Sequence, residues 1–101
     1  MRFASLFSWW NRLRGPRLGH VEVVLLTRAG CHLCADAWQL LEKEQQRYGF
    51  RLSARDVDAR PELAARHGEQ VPLVIVNGKV RLWGRINAVL LRRLLRAERR
   101  S

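Results

Sequence analysis

The chain predicts an α/β domain, a four-stranded mixed sheet flanked by helices in the order β-α-β-α-β-β-α. Three observations carry that expectation. An apolar, β-branched run is followed by a long segment of helical periodicity and then by a second, alternating run. An Asn-Gly pair separates two further apolar runs. A leucine-rich segment at helical spacing comes last. A strand, helix and strand in succession imply a right-handed parallel crossover, and the Asn-Gly pair implies an antiparallel hairpin.

Each element has a local reason. "VEVVLLT", Val21 to Thr27, suits a strand buried on both faces. After Gly30, residues Leu33, Ala37, Leu40, Leu41 and Glu44 follow helical spacing as far as Tyr48, and Gly49 stops the helix. Phe50, Leu52 and Ala54 alternate along "FRLSARDVD", a second strand expected to end at Val57. Pro61 opens a short helix at its first position and Gly68 closes it. Leu73 to Val76 and Val80 to Trp83 flank Asn77-Gly78, the strongest two-residue hairpin signal. Asn87 suits the N-cap of a final helix carrying Leu90, Leu91, Leu94 and Leu95. Val71-Pro72 directly precedes the hairpin, where proline can donate no ladder hydrogen bond. It is a candidate for a cis peptide bond.

At 101 residues and 48% apolar, the chain has the size and composition of one globular domain, placed at residues 20–101. Residues 1–19 read as a basic, aromatic extension, broken off by Gly15, Pro16 and Gly19. Arg12, Arg14 and Arg17 interrupt it too early for a signal peptide, and no segment has transmembrane length, so the expected location is cytoplasmic. Residues 2–14 place Phe3, Leu6, Phe7, Trp10 and Leu13 at helical spacing. That helix is short enough to fray or pack on the domain; the sharper reading is a peripheral membrane contact through Trp9, Trp10 and the arginines. The net charge of +10 is spread from Arg2 to Arg100 without stacking aromatics or a recognition motif, so no specific nucleic-acid partner is expected.

Both cysteines lie in "LLTRAGCHLCADAW". A disulfide between Cys31 and Cys34 closes a very short loop and constrains little chain entropy, which argues against a structural staple. Disulfide scaffolds use four or more cysteines. Structural zinc needs four ligands, and His20, His32 and His67 lack the spacing of a ligand pair, so no metal is expected. Redox exchange remains. Cys31 falls at the mouth of a helix, where free N–H groups and the helix dipole favour a thiolate. Arg28 adds positive potential, and His32 modulates the charge between the cysteines. Cys34, one turn further in, should be more buried and harder to ionise. Cys31 is therefore the attacking sulfur and Cys34 the resolving one.

"LLTRAGCHLCADAW", "VPLVIVNGK" and "WGR", in this order, resemble the glutaredoxin-like branch of the thioredoxin superfamily. More narrowly, the chain is similar to a small bacterial group with a Gly-Cys-His-Leu-Cys site. The resemblance covers about residues 20–98 and implies a thioredoxin/glutaredoxin-like fold. It implies that Pro72 faces Cys31 and Cys34 in a cis-proline loop, and that the Val71 backbone receives an extended peptide or glutathione. It also implies that Arg28 contacts a glutathione carboxylate. The chain departs from the common pattern in having His32 and Leu33 where most glutaredoxins have Pro and Tyr. "GRINAV" keeps Gly84, sets Arg85 at a second glycine, and offers Asn87 in place of the polar and acidic pair that holds glutathione. Arg85 could hold a carboxylate bidentately.

The expected function is thiol–disulfide exchange on protein or glutathione mixed disulfides, by a monomer with glutathione as a co-substrate and no tightly bound cofactor. Two other classes stand beside it. One is an iron–sulfur carrier, which needs further thiolates from glutathione or a second subunit. The other is a non-catalytic thioredoxin-fold module that binds an anionic partner through its basic ends.

Overall fold

The structure, a computed structural model, describes residues 17–100; the amphipathic reading of residues 2–14 lies outside them. Strand β1 (Glu22–Thr27) leads to helix α1 (His32–Tyr48), strand β2 (Arg51–Asp56), a 3-10 turn (Val57–Ala59) and helix α2 (Pro61–His67). Strands β3 (Leu73–Val76) and β4 (Lys79–Trp83) then form the hairpin, followed by helix α3 (Ala88–Ala97) and a 3-10 turn (Glu98–Arg100). The sheet order is β2-β1-β3-β4, with β1 parallel to β2 and antiparallel to β3, and β3 antiparallel to β4. This is the mixed four-stranded sheet that the sequence predicts.

Local chemistry sets the boundaries. Gly49 ends α1 in a left-handed conformation at φ 75°, and its N–H donates to the Gln45 carbonyl at 2.7 Å. Asn77 and Gly78 both adopt positive φ (50° and 83°), which matches the twist of a tight hairpin. A register shift between Val74 and Ile75 skips Arg81, so β4 bulges at its middle. β2 ends one residue before the expected Val57. The Asp56 side chain accepts the Asp58 N–H at 2.9 Å, turning the chain and dropping Val57 into the interior.

The main core lies between the sheet and the helices α1 and α3. Val23, Leu25, Val74 and Val76 from the sheet meet Leu41, Tyr48, Leu91 and Leu95, all buried. The core also takes in Leu18, whose N–H donates to the Tyr48 carbonyl at 2.8 Å. The packed unit thus begins before residue 20. Val24, Leu26 and Leu73 form a smaller cluster on the opposite face. Glu44, on the inner side of α1, is fully buried and is met by the Arg92 guanidinium of α3 through two hydrogen bonds of 3.1 and 3.3 Å. An unpaired carboxylate there would carry a heavy desolvation cost, so this pair locks α1 to α3 in one register.

Candidate active site

Strand direction gathers the sequence-predicted residues. Thr27 ends β1 beside Asp56 of β2, and Leu26 pairs with Leu73 at the start of β3. Leu73 in turn pairs with Trp83 at the end of β4. One end of the sheet therefore carries the segment 28–31, the turn after β2, the Val71–Pro72 bond and the segment from Gly84. The Val71–Pro72 bond is cis, as the sequence suggested. The Gly84 N–H donates to the Pro72 carbonyl at 2.8 Å, which holds the start of the last connection against the proline loop.

The two sulfurs occupy unlike environments. Cys31 is the N-cap of α1, and its Sγ accepts the Cys34 N–H at 3.1 Å. A sulfur in that position meets the free N–H end of the helix, the place where negative charge is favoured. Cys31 is part-exposed, whereas Cys34 is buried at 4% exposure; both are free thiols. Burial pushes the Cys34 thiol up to about 11, with the hydrogen bond to Cys31 adding to the rise and a backbone hydrogen bond from Arg28 opposing it. The arrangement divides a part-exposed sulfur at the helix start from a buried thiol held protonated. His32 is exposed at the first position of α1.

Arg28 has a partner that sequence reasoning missed. Its Nε and Nη2 donate to the two carboxylate oxygens of Asp58, each at 2.9 Å, and its Nη1 donates to the Gly68 carbonyl at 2.9 Å. The Arg28 guanidinium beside Asp58 holds that carboxyl below the usual aspartate range. The positive potential expected from Arg28 beside Cys31 is thus largely balanced by Asp58. Gly68 was expected as a helix stop, and it is one, but its backbone is right-handed at φ −56°. A Cβ there would lie 2.5 Å from both the Ala64 carbonyl oxygen and Arg28 Nη2, so glycine is present to let the arginine in. Asp58 is thirty positions from Arg28, and no spacing rule links them.

Two concave surfaces adjoin the cysteines. A groove of ≈ 610 Å³ runs from Cys31 and Cys34 along Ala35 and Trp38 of α1 to Ala54 on β2, with Gly30 at its rim. A separate crevice of ≈ 260 Å³ is lined by Leu33, Asp36, Leu40, Arg85 and Ile86. Arg85 therefore does not share the groove of Cys31. Asn87 caps α3, its side-chain oxygen accepting the Val89 and Leu90 N–H groups at 2.8 and 3.1 Å. The oxygen proposed for glutathione already serves the helix. Among the described residues no three His, Cys, Asp or Glu side chains gather where a metal ion could be held.

A Cys-x-x-Cys at a helix N-terminus, at the same end of the sheet as a cis-proline, points to a known family, and the model of the glutaredoxin-like domain (DUF836) matches residues 22–96. The chain belongs to this glutaredoxin-like family. Uncharacterized proteins of Mycobacterium tuberculosis and Mycobacterium bovis are 35% identical to this glutaredoxin-like chain over 63 residues, 57% of its length. The match spans 65% of those relatives, just under two thirds of their length. Among solved structures, a Nitrosomonas europaea protein superposes with a TM-score of 0.66 at 21% identity, covering 73% of this chain and 89% of that one. A mutant thioredoxin from Halobacterium salinarum gives 0.62 at 17% identity, covering 83% and 90%. These similarities establish the thioredoxin fold. Among the described residues of the glutaredoxin-like chain, no helix is long and apolar enough to cross a membrane.

Proposed function

We propose that this chain is a thiol–disulfide oxidoreductase in which Cys31 attacks and Cys34 resolves. The observation that carries the reading is the asymmetry of the pair. One sulfur is part-exposed and hydrogen-bonded at the mouth of α1, and the other is buried and protonated. The Cys31 thiolate attacks one sulfur of a substrate disulfide, and the other sulfur leaves as a thiolate that takes up a proton. Cys34 then loses its proton and attacks the Cys31 sulfur, releasing the second substrate thiol. Two electrons pass to the substrate, and the pair is left as a Cys31–Cys34 disulfide that an external dithiol must reduce.

The raised Cys34 value suits this order, because a protonated resolving thiol does not compete for the first attack. The Val71 backbone, beside the cis-proline, is the surface offered to an extended substrate. The test is trapping. Cys34→Ser, exposed to a peptide disulfide or oxidised glutathione, should accumulate an adduct on Cys31 visible by intact mass, whereas Cys31→Ser should form none. Absence of an adduct on Cys34→Ser with either reagent would overturn the reading.

A further inference from the structure

We infer that the groove between α1 and β2 receives a large apolar residue flanking the reacting cysteine of a protein disulfide. Its substrate class is then protein disulfides with an apolar neighbour, rather than a small, carboxylate-bearing disulfide. The inference rests on the exchange chemistry assigned above to Cys31, and it concerns the flank of that sulfur turned away from Val71–Pro72.

Four observations support it. Cys31 itself forms part of the groove wall, so whatever is bonded to its sulfur must lie along the groove or turn away from it. Beyond Cys31 the lining includes the Trp38 indole beside Ala35, Ala54 and Gly30, small positions that leave room next to one large ring, together with Thr27, Arg28, His32 and Cys34. Ala54 belongs to the same run of sheet positions as Leu52, which packs into the main core, yet it is exposed. α1 leaves this part of the edge strand uncovered. The volume of ≈ 610 Å³ exceeds what one side chain fills, and it falls within the range of about 300–1,000 Å³ typical of ligand pockets.

Charge decides between apolar and carboxylate partners. The one arginine in the lining, Arg28, spends Nε and Nη2 on Asp58 and Nη1 on the Gly68 carbonyl. Three of its five N–H donors are thus taken and Asp58 already balances its charge, so a glutathione carboxylate gains less from Arg28 than from an unpaired arginine. Arg85 lines the other crevice, next to Asp36. Apart from Arg28, His32 and the two cysteines, the lining carries no ionisable side chain. Burying an apolar side chain against Trp38 and the alanines is favourable without any such exchange.

The step keeps its balance. The Cys31 thiolate bonds to the peptide sulfur beside the apolar residue, and the departing sulfur takes the electron pair and a proton. The seated side chain holds the mixed disulfide until Cys34 attacks. The test uses the full chain carrying Cys34→Ser and a series of short peptides. Each has one cysteine activated as a mixed disulfide with thionitrobenzoate and differs only in the neighbouring residue: Phe, Leu, Ser or Asp. The Phe and Leu peptides should form the Cys31 adduct roughly tenfold faster than the Asp peptide, the ratio that partial burial of one such side chain supports.

Filling the groove by Ala54→Leu, or separately by Ala35→Leu, should bring the series to near parity. Thermal melts of each filled variant check that the fold is intact, and the Ser peptide, whose small side chain does not need the groove, supplies the rate against which the Phe and Leu peptides are compared. Equal rates across the peptides, or a preference that survives both fillings, overturns the inference. Failure of Cys31 to react with any disulfide overturns the exchange reading beneath it instead.

Discussion

The 3.1 Å hydrogen bond from the Cys34 N–H to the Cys31 sulfur sets one thiol at the end of a helix while the other is enclosed by the fold. Enclosure is the main reason that Cys34 is held protonated, so the rise should survive loss of the first sulfur. In Cys31→Ser, alkylation of Cys34 should still be accelerating at pH 9, consistent with a thiol pushed up to about 11. A rate that levels off below pH 9 would count against this. The linkage has a sign. A thiol harder to ionise in the folded state favours folding below its ordinary value near 9.0, and that contribution is lost as pH rises toward about 11. The spacing of the cysteines and the helix start were legible in the sequence, and so was the deeper burial of Cys34. The partner of Arg28 was not, because Asp58 reaches it only through the turn after β2.

At the scale of elements, propensity and punctuation decided most of what the sequence revealed. Gly49, Asn77-Gly78, Pro61 and Asn87 all act where their side-chain or backbone chemistry demands. β2 was harder to bound. Its residues are exposed apart from Leu52, and a side chain, Asp56, rather than a glycine or proline ends it. Asn87 shows how one residue can suit two readings. Its oxygen accepts two N–H groups at the start of α3, a capping role. Asn87→Ala should cost about 1 kcal/mol in denaturant unfolding, the usual loss of an N-cap. Turnover of oxidised glutathione should be unaltered once the variant is folded; a selective rise in KM for glutathione would restore the binding role.

Across the whole molecule, Arg28 joins three segments far apart in sequence: the end of β1, the turn after β2 and the exit of α2. Because Asp58 is held below the ordinary aspartate value of about 3.9, its pairing favours the folded state above that value and is lost as pH falls through the lowered one. The pair is part-exposed, so salt and solvent weaken it. Thermal melts of the parent should therefore lose more Tm between pH 5 and pH 3 than those of Asp58→Asn; parallel curves for the two proteins would contradict the clamp. The mixed sheet and the placing of the cysteines at a helix start were readable in advance, since strand direction follows from the crossover and the hairpin; the order β2-β1-β3-β4 was not. The groove was not. Ala54 read as one of the alternating apolar positions of its strand, and only the incomplete cover of β2 by α1 leaves it exposed.

The placement of β2 at the sheet edge also gives the dispersed arginines a physical consequence. Arg51, Ser53 and Arg55 alternate along one side of that strand, all exposed, and Lys79 opens the opposite edge strand β4. Two copies approaching edge to edge would bring guanidinium groups against guanidinium or ammonium groups before any ladder could form. A charged border of this kind disfavours extension of the sheet into a neighbouring molecule along β2, an effect these arginines have whether or not they also meet a partner.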